Sequence, residues 1–124
     1  IPGGNMDLSR FREEVLTPAL AGEAVFYRPY DCQTGSYRPA ELIEPRPLTI
    51  IEGSYSLHPD LHMRYDLKIF LTSSPAAQTR RLKAREGESY RMFKTRWIPM
   101  EERYISRCHI HRDALSIDTS EFFD

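Results

Sequence analysis

The side chains of this 124-residue sequence that could carry chemistry are Glu52, Asp7, Tyr30, Asp31, Arg81, Arg85 and Arg91. Glu52 follows the apolar run Leu48-Thr49-Ile50-Ile51 and precedes Gly53. Open parallel sheets bind ligands beyond the carboxyl ends of their strands, so an acid at such an end can face a metal ion or a phosphate. It can equally cap a helix or pair with a surface arginine, and position alone does not choose.

Arginine is concentrated in one segment, where Arg80, Arg81, Arg85, Arg91 and Arg96, with Lys83 and Lys94, flank Gly87. Arg81 and Arg85 are four apart and share a helix face, and their guanidinium forks suit phosphate oxygens. A solvated helix face explains the same run. The loop from Arg28 to Gly35 combines an aromatic ring, Tyr30, with the carboxylate of Asp31 and the polar Gln33 and Thr34. That mixture can stack on and read a base, or Tyr30 can pack under the loop. Asp7 opens a helix, where an acid is the ordinary cap but could also hold sugar hydroxyls. His58 with His62, and Cys108-His109-Ile110-His111, contain metal-ligand types but lack further partners at convincing spacing. No Ser-His-Asp or Cys-His arrangement can be proposed from spacing, and G-x-S-x-G is absent.

Elements able to position these residues follow from periodicity. Leu8, Phe11, Val15, Ala19 and Leu20 form a helical stripe with Asn5 or Asp7 as cap, Gly22 as stop and a bend at Pro18. Ala24 to Tyr27 reads as a short strand, and the Pro-punctuated stretch to Pro47 as surface with a small hairpin. Leu48 to Ile51 is apolar and β-branched without polar alternation, which predicts a strand covered on both faces. A short helix starts near Pro59, and Leu67 to Leu71 reads as the next strand. Ser73 or Ser74 then caps a helix with Pro75 at its first position, running to about Arg85. Past Gly87, a second helix from about Tyr90 to Arg107 carries Phe93, Trp97, Tyr104 and Ile105, kinked at Pro99, and Ala114 to Asp118 closes as a strand. This alternation predicts an α/β fold, a parallel sheet with helices on its faces.

Length fits a single domain over 1–124, able to bury roughly two thirds of its unfolded surface. Seventeen Lys and Arg against eighteen Asp and Glu leave a net charge of −1, so no overall field attracts a nucleic acid polymer or an anionic membrane. Cys32 and Cys108 match neither a disulfide framework nor a paired zinc motif, which favours reduced thiols and a cytoplasmic setting. No apolar run approaches the ~20 residues of a membrane helix, and no secretory leader opens the sequence.

Taken in succession, Asn5-Met6-Asp7 opening a helix, Pro29-Tyr30-Asp31, Ile51-Glu52-Gly53-Ser54-Tyr55, Asp66 to Leu71 and the Arg-rich pair of helices resemble the uridine kinase family of P-loop nucleoside kinases. The resemblance spans about Gly3 to Asp118; each motif is short, and the specificity lies in their order. It implies a P-loop kinase-like parallel-sheet fold with a mobile lid, here about residues 80–97. It also implies Mg-dependent transfer of the ATP γ-phosphoryl to the 5′-hydroxyl of uridine or cytidine. In that family's terms Glu52 is the metal-shell acid, Asp7 binds the ribose hydroxyls, and Tyr30, with Asp31 beside it, faces the nucleobase. Arg81, Arg85 and Arg91 fall in the lid, Arg85 toward the transferring phosphoryl and Arg91 toward the nucleoside.

The sequence departs from the family where ATP is held. None of its six glycines begins G-x-x-x-x-G-K-[ST], so the phosphate cradle, its Lys and its magnesium-binding hydroxyl are missing, together with the upstream Asp that would activate the 5′-hydroxyl. Gln33, Thr34 and Gly35 stand where some members place a His, which leaves base preference open. The expectation is therefore the C-terminal portion of such an enzyme, an incomplete fold without its first strand and P-loop, inactive by itself. A missing central strand would expose ladder groups and apolar surface, so such a fragment is expected to aggregate, to dimerise as a homo-oligomer or to rearrange. The rivals are a non-catalytic nucleoside-binding or assembly module, and a kinase of this fold acting on another small alcohol such as pantothenate or phosphoribulose.

Overall fold

The computed structural model describes residues 6–62 and 64–122, and the His62 side chain is not among what is described. The chain is a mixture of helices and small two-stranded sheets, one of them parallel. Its contacts divide into two compact units, one within residues 4–56 and one within 57–124. No helix among the described residues is long and apolar enough to cross a membrane.

In the first unit, Asp7 caps helix α1 (Leu8–Phe11) by accepting a hydrogen bond from the Arg10 backbone N–H at 3.0 Å. Asn5, the alternative cap, lies outside the described residues. The helical run continues through a π-helical turn, Arg12–Leu16, into α2 (Thr17–Leu20). Pro18 explains the wide turn: a proline ring clashes with the carbonyl four residues back and offers no N–H, and a π-turn relieves both. The predicted bend is thus a local widening. The run stops at Gly22, whose φ of 71° is the left-handed conformation glycine adopts without cost.

Strand β1 (Val25–Tyr27) follows, with Val25 buried, and pairs antiparallel with β4 (Glu41–Ile43). Between them, β2 (Tyr30–Asp31) and β3 (Ser36–Tyr37) form a hairpin around the loop that ends at Gly35, earlier in the chain than the Pro-rich stretch where one was expected. The predicted buried strand Leu48–Ile51 does not form. Leu48 and Ile50 are 75% and 79% exposed, and no strand pairs with the segment. Described strands pair only two by two, so this run has no ladder partner, and an extended segment without one keeps its backbone groups in water. Glu52 accordingly ends no strand.

In the second unit, α3 (Pro59–His62) begins beside His58, whose Nδ1 accepts the Asp60 N–H at 3.1 Å. Strand β5 (Ile69–Thr72) leads into α4 (Pro75–Glu86), capped by Ser74, whose hydroxyl accepts the Ala77 N–H at 3.1 Å. Pro75 occupies the first turn, where no N–H is needed. Gly87, with φ 58°, ends α4. Beyond it come α5 (Tyr90–Met92), a second π-turn over Phe93–Trp97, and α6 (Ile98–Cys108) with Pro99 in its first turn. Strand β6 (Leu115–Asp118) then lies parallel to β5, Ile69 opposite Leu115 and Thr72 opposite Asp118. This is the helical crossover the sequence predicted, because parallel neighbours cannot be joined by a tight turn. Leu61, Ala77, Tyr104 and Ile110 form the unit's buried core, and the His58 ring lies nearly parallel to that of Tyr104, 6.1 Å between centroids.

Replacing Ser74 by Ala removes the cap of the longest α-helix and should lower stability by about 1 kcal/mol. Urea denaturation followed by circular dichroism will show this as a lower midpoint at unchanged slope.

Candidate functional site

The strongest cluster of polar and aromatic side chains lies in the first unit, around one carboxylate. Glu14, on the π-turn, accepts from the Arg10 guanidinium at 3.0 Å through Oε2 and from Arg28 Nε at 3.0 Å through Oε1, with a further short bond from Arg28 Nη2. Arg10 is four residues before Glu14, the spacing that brings helix side chains together. Arg28 reaches it from the loop after β1, and its carbonyl in turn accepts from Arg10 at 2.9 Å. Both guanidinium groups lie against the ring of Tyr37, 4.8 Å and 4.7 Å from its centroid. Arg10 also stands 5.8 Å from the ring of Tyr27.

Tyr30 and Tyr37 face each other across the β2–β3 hairpin as a registered pair, their rings edge to face at 5.3 Å. Both stay about half exposed, at 49% and 48%. Asp31 ties the hairpin turn: its carboxylate accepts from the Gln33 N–H at 2.9 Å and the Thr34 N–H at 3.3 Å, and pairs with Arg38 at 3.2 Å. Gly35 completes the turn with φ 68°, and its N–H donates to the Asp31 carbonyl at 2.8 Å. The backbone donors, ahead of Arg38, hold the Asp31 carboxyl below the ordinary carboxylate range. Glu14 is likewise depressed, chiefly by its hydrogen bond from Arg28.

The residues predicted from sequence meet different fates. Asp7, Tyr30 and Asp31 belong to the unit that holds this cluster, although Asp7 is occupied as a helix cap and Asp31 as a turn tie. Glu52 is exposed. No three or more His, Cys, Asp or Glu side chains converge into a metal-sized group among the described residues. Magnesium is held by one or two carboxylates completed by substrate phosphates and water. Glu52 is one exposed carboxylate of that kind, and a metal role for it rests on the resemblance alone.

The arginines are described within the second unit. Arg81 serves the fold: its guanidinium donates to the Thr119 hydroxyl at 3.2 Å and to the carbonyls of Thr119, Ser120 and Phe122, fastening α4 to the turn after β6. Thr119 passes the connection on, donating to the Thr72 carbonyl through both N–H and hydroxyl. Ser120 hydrogen bonds depress the neighbouring Asp118 carboxyl. Arg85 pairs with Glu86 at 2.7 Å and lies 5.8 Å from the Phe93 ring, a surface position. Arg91 is exposed on α5.

Sequence reasoning missed Arg10, Glu14, Arg28 and Tyr37. Their signal was present only in combination, since an i,i+4 Arg–Glu pair reads as an ordinary helix surface. Tyr30 and Tyr37 become partners once Gly35 is read as the hairpin turn. In comparison with known proteins, the chain matches no protein-family model, no curated protein and no solved structure.

A carboxylate with a depressed pKa in the folded state contributes stability that is present above its unfolded value and lost as pH falls through the folded one. Glu14→Gln should therefore be less stable than the unaltered protein at neutral pH. The difference should shrink as pH falls through the ordinary carboxylate range and below it, measured by thermal unfolding against pH; a constant difference would show that the charge of Glu14 is immaterial.

Proposed function

We propose that this chain supplies the nucleoside-binding and lid portion of a uridine kinase-like phosphotransferase, an enzyme that phosphorylates the 5′-hydroxyl of uridine or cytidine with ATP and magnesium. The observation that carries this reading is the β2–β3 hairpin, which presents Tyr30 as a half-exposed, positioned ring beside Asp31 in the unit that also contains Asp7. A rigid aromatic face is what a base stacks on, and stacking contributes about 1–3 kcal/mol. The parallel β5–β6 pair, crossed by arginine-bearing helices, supports a P-loop kinase-like sheet with a lid. ATP and magnesium enter only through the resemblance, because these 124 residues contain no phosphate-binding loop. In this reading Arg85 and Arg91 act on the phosphoryl group and the nucleoside, and Arg81 sets the helix that carries the lid.

The half-exposed Tyr30 ring, on which a base can stack without any phosphate contact, favours a second reading, a module that binds nucleoside without turnover. Both are tested on the complete natural protein with uridine, cytidine, ATP and magnesium, product being separated by chromatography. Turnover should appear; Tyr30→Ala should raise the nucleoside KM about tenfold with kcat little changed. Arg85→Ala should lower kcat by about a hundredfold. Nucleoside binding without product supports the module, and absence of both binding and product overturns both readings. Full magnesium-dependent activity in Glu52→Gln would remove Glu52 from the metal shell.

A further inference from the structure

We infer that Tyr37, which no motif marks, is a second ligand-contacting ring of the nucleoside site, so that the base is held by a two-tyrosine platform rather than by Tyr30 alone. The inference rests on the nucleoside-binding reading above and deepens it. Tyr37 is the registered partner of Tyr30 across the hairpin, and the two rings meet edge to face at 5.3 Å, so neither can be placed without the other. A core role would bury Tyr37, yet it keeps 48% of its surface open, almost the same as Tyr30.

Its orientation is also fixed more firmly than an ordinary surface tyrosine requires. The Arg10 and Arg28 guanidinium groups lie 4.8 Å and 4.7 Å from its centroid, and both are held in turn by Glu14. Tyr30 is held by its edge-to-face contact with Tyr37 and by its place in the β2–β3 ladder. Two half-exposed rings, each fixed by neighbours and joined to each other, lose little conformational entropy when a planar ligand arrives. Neighbouring guanidinium groups make the platform cationic, which favours a planar group edged with carbonyl oxygens. A pyrimidine base has that chemistry: it offers a π-face for stacking and oxygen acceptors at its rim.

The test uses the complete protein and uridine, with binding followed by proton NMR. Stacking against tyrosine should move the uridine H5 and H6 resonances upfield through the ring currents. Tyr37→Leu should reduce that shift and weaken uridine binding about tenfold, whereas Tyr37→Phe, which keeps the ring, should leave both near their unaltered values. Affinity for ATP and the melting temperature serve as controls and should stay unchanged in Tyr37→Phe. Uridine binding within twofold of normal in Tyr37→Leu, while Tyr30→Leu abolishes the shift, overturns the role of Tyr37 and leaves the nucleoside reading standing. If Tyr37→Leu does not fold, the decision passes to Arg28→Met, which releases the Tyr37 ring: uridine binding weakened severalfold with a reduced shift supports the platform, binding within twofold of normal overturns it, and a folded Tyr37→Phe with weakened binding, which would mean that the hydroxyl and not the ring was needed, overturns it as well. Absence of any uridine shift in the unaltered protein overturns both readings together.

Discussion

Glu14 stands between two guanidinium groups delivered by different parts of the chain, Arg10 from its own helix and Arg28 from the loop that leaves β1. Without its charge, two cations would face each other beside Tyr37 and repel. With it, the helix, the end of β1 and the hairpin share one electrostatic node. The geometry of the candidate site depends on that node, since Arg10 and Arg28 place Tyr37 and Tyr37 places Tyr30.

The second unit is secured by satisfaction of backbone carbonyls. A two-stranded parallel ladder is a small structure, and the chain after β6 would have few reasons to stay near it. Arg81 supplies one by donating to three carbonyls of that turn, and Thr119 supplies another by donating twice to Thr72. An arginine singled out for phosphate is therefore already engaged by oxygens of its own chain. That distinction is invisible in a charge run, because carbonyl oxygens brought close by folding leave no mark in the sequence.

Elements with strong local signals were legible. Ser74-Pro75 and Gly87 bracket α4 because a cap, a proline and a left-handed glycine act within a few residues. Strands β5 and β6 and their parallel pairing followed from composition and the helices between them. Leu48–Ile51 failed because a strand is a property of its neighbours as much as of its residues; apolar, β-branched composition gives no ladder partner. Tyr30 and Asp31 stand out in the sequence as candidates; the structure places them in one hairpin, with the Asp31 carboxylate directed into its own turn. The Glu14 node was not legible, because half of it arrives from Arg28, fourteen residues away.

The two π-turns have a consequence for how this sequence displays its faces. Each lies immediately before a helix that carries a proline in its first turn, Arg12–Leu16 before Pro18 and Phe93–Trp97 before Pro99. A π-turn holds one residue more than an α-turn, and one residue is about 100° of rotation. The apolar stripe is therefore put out of phase as it passes through, and the buried residue of the first run is Leu16, which closes the π-turn and lies outside the stripe of Leu8, Phe11, Val15 and Ala19. Each proline acts as a phase shifter, deciding which side of the following helix meets the interior.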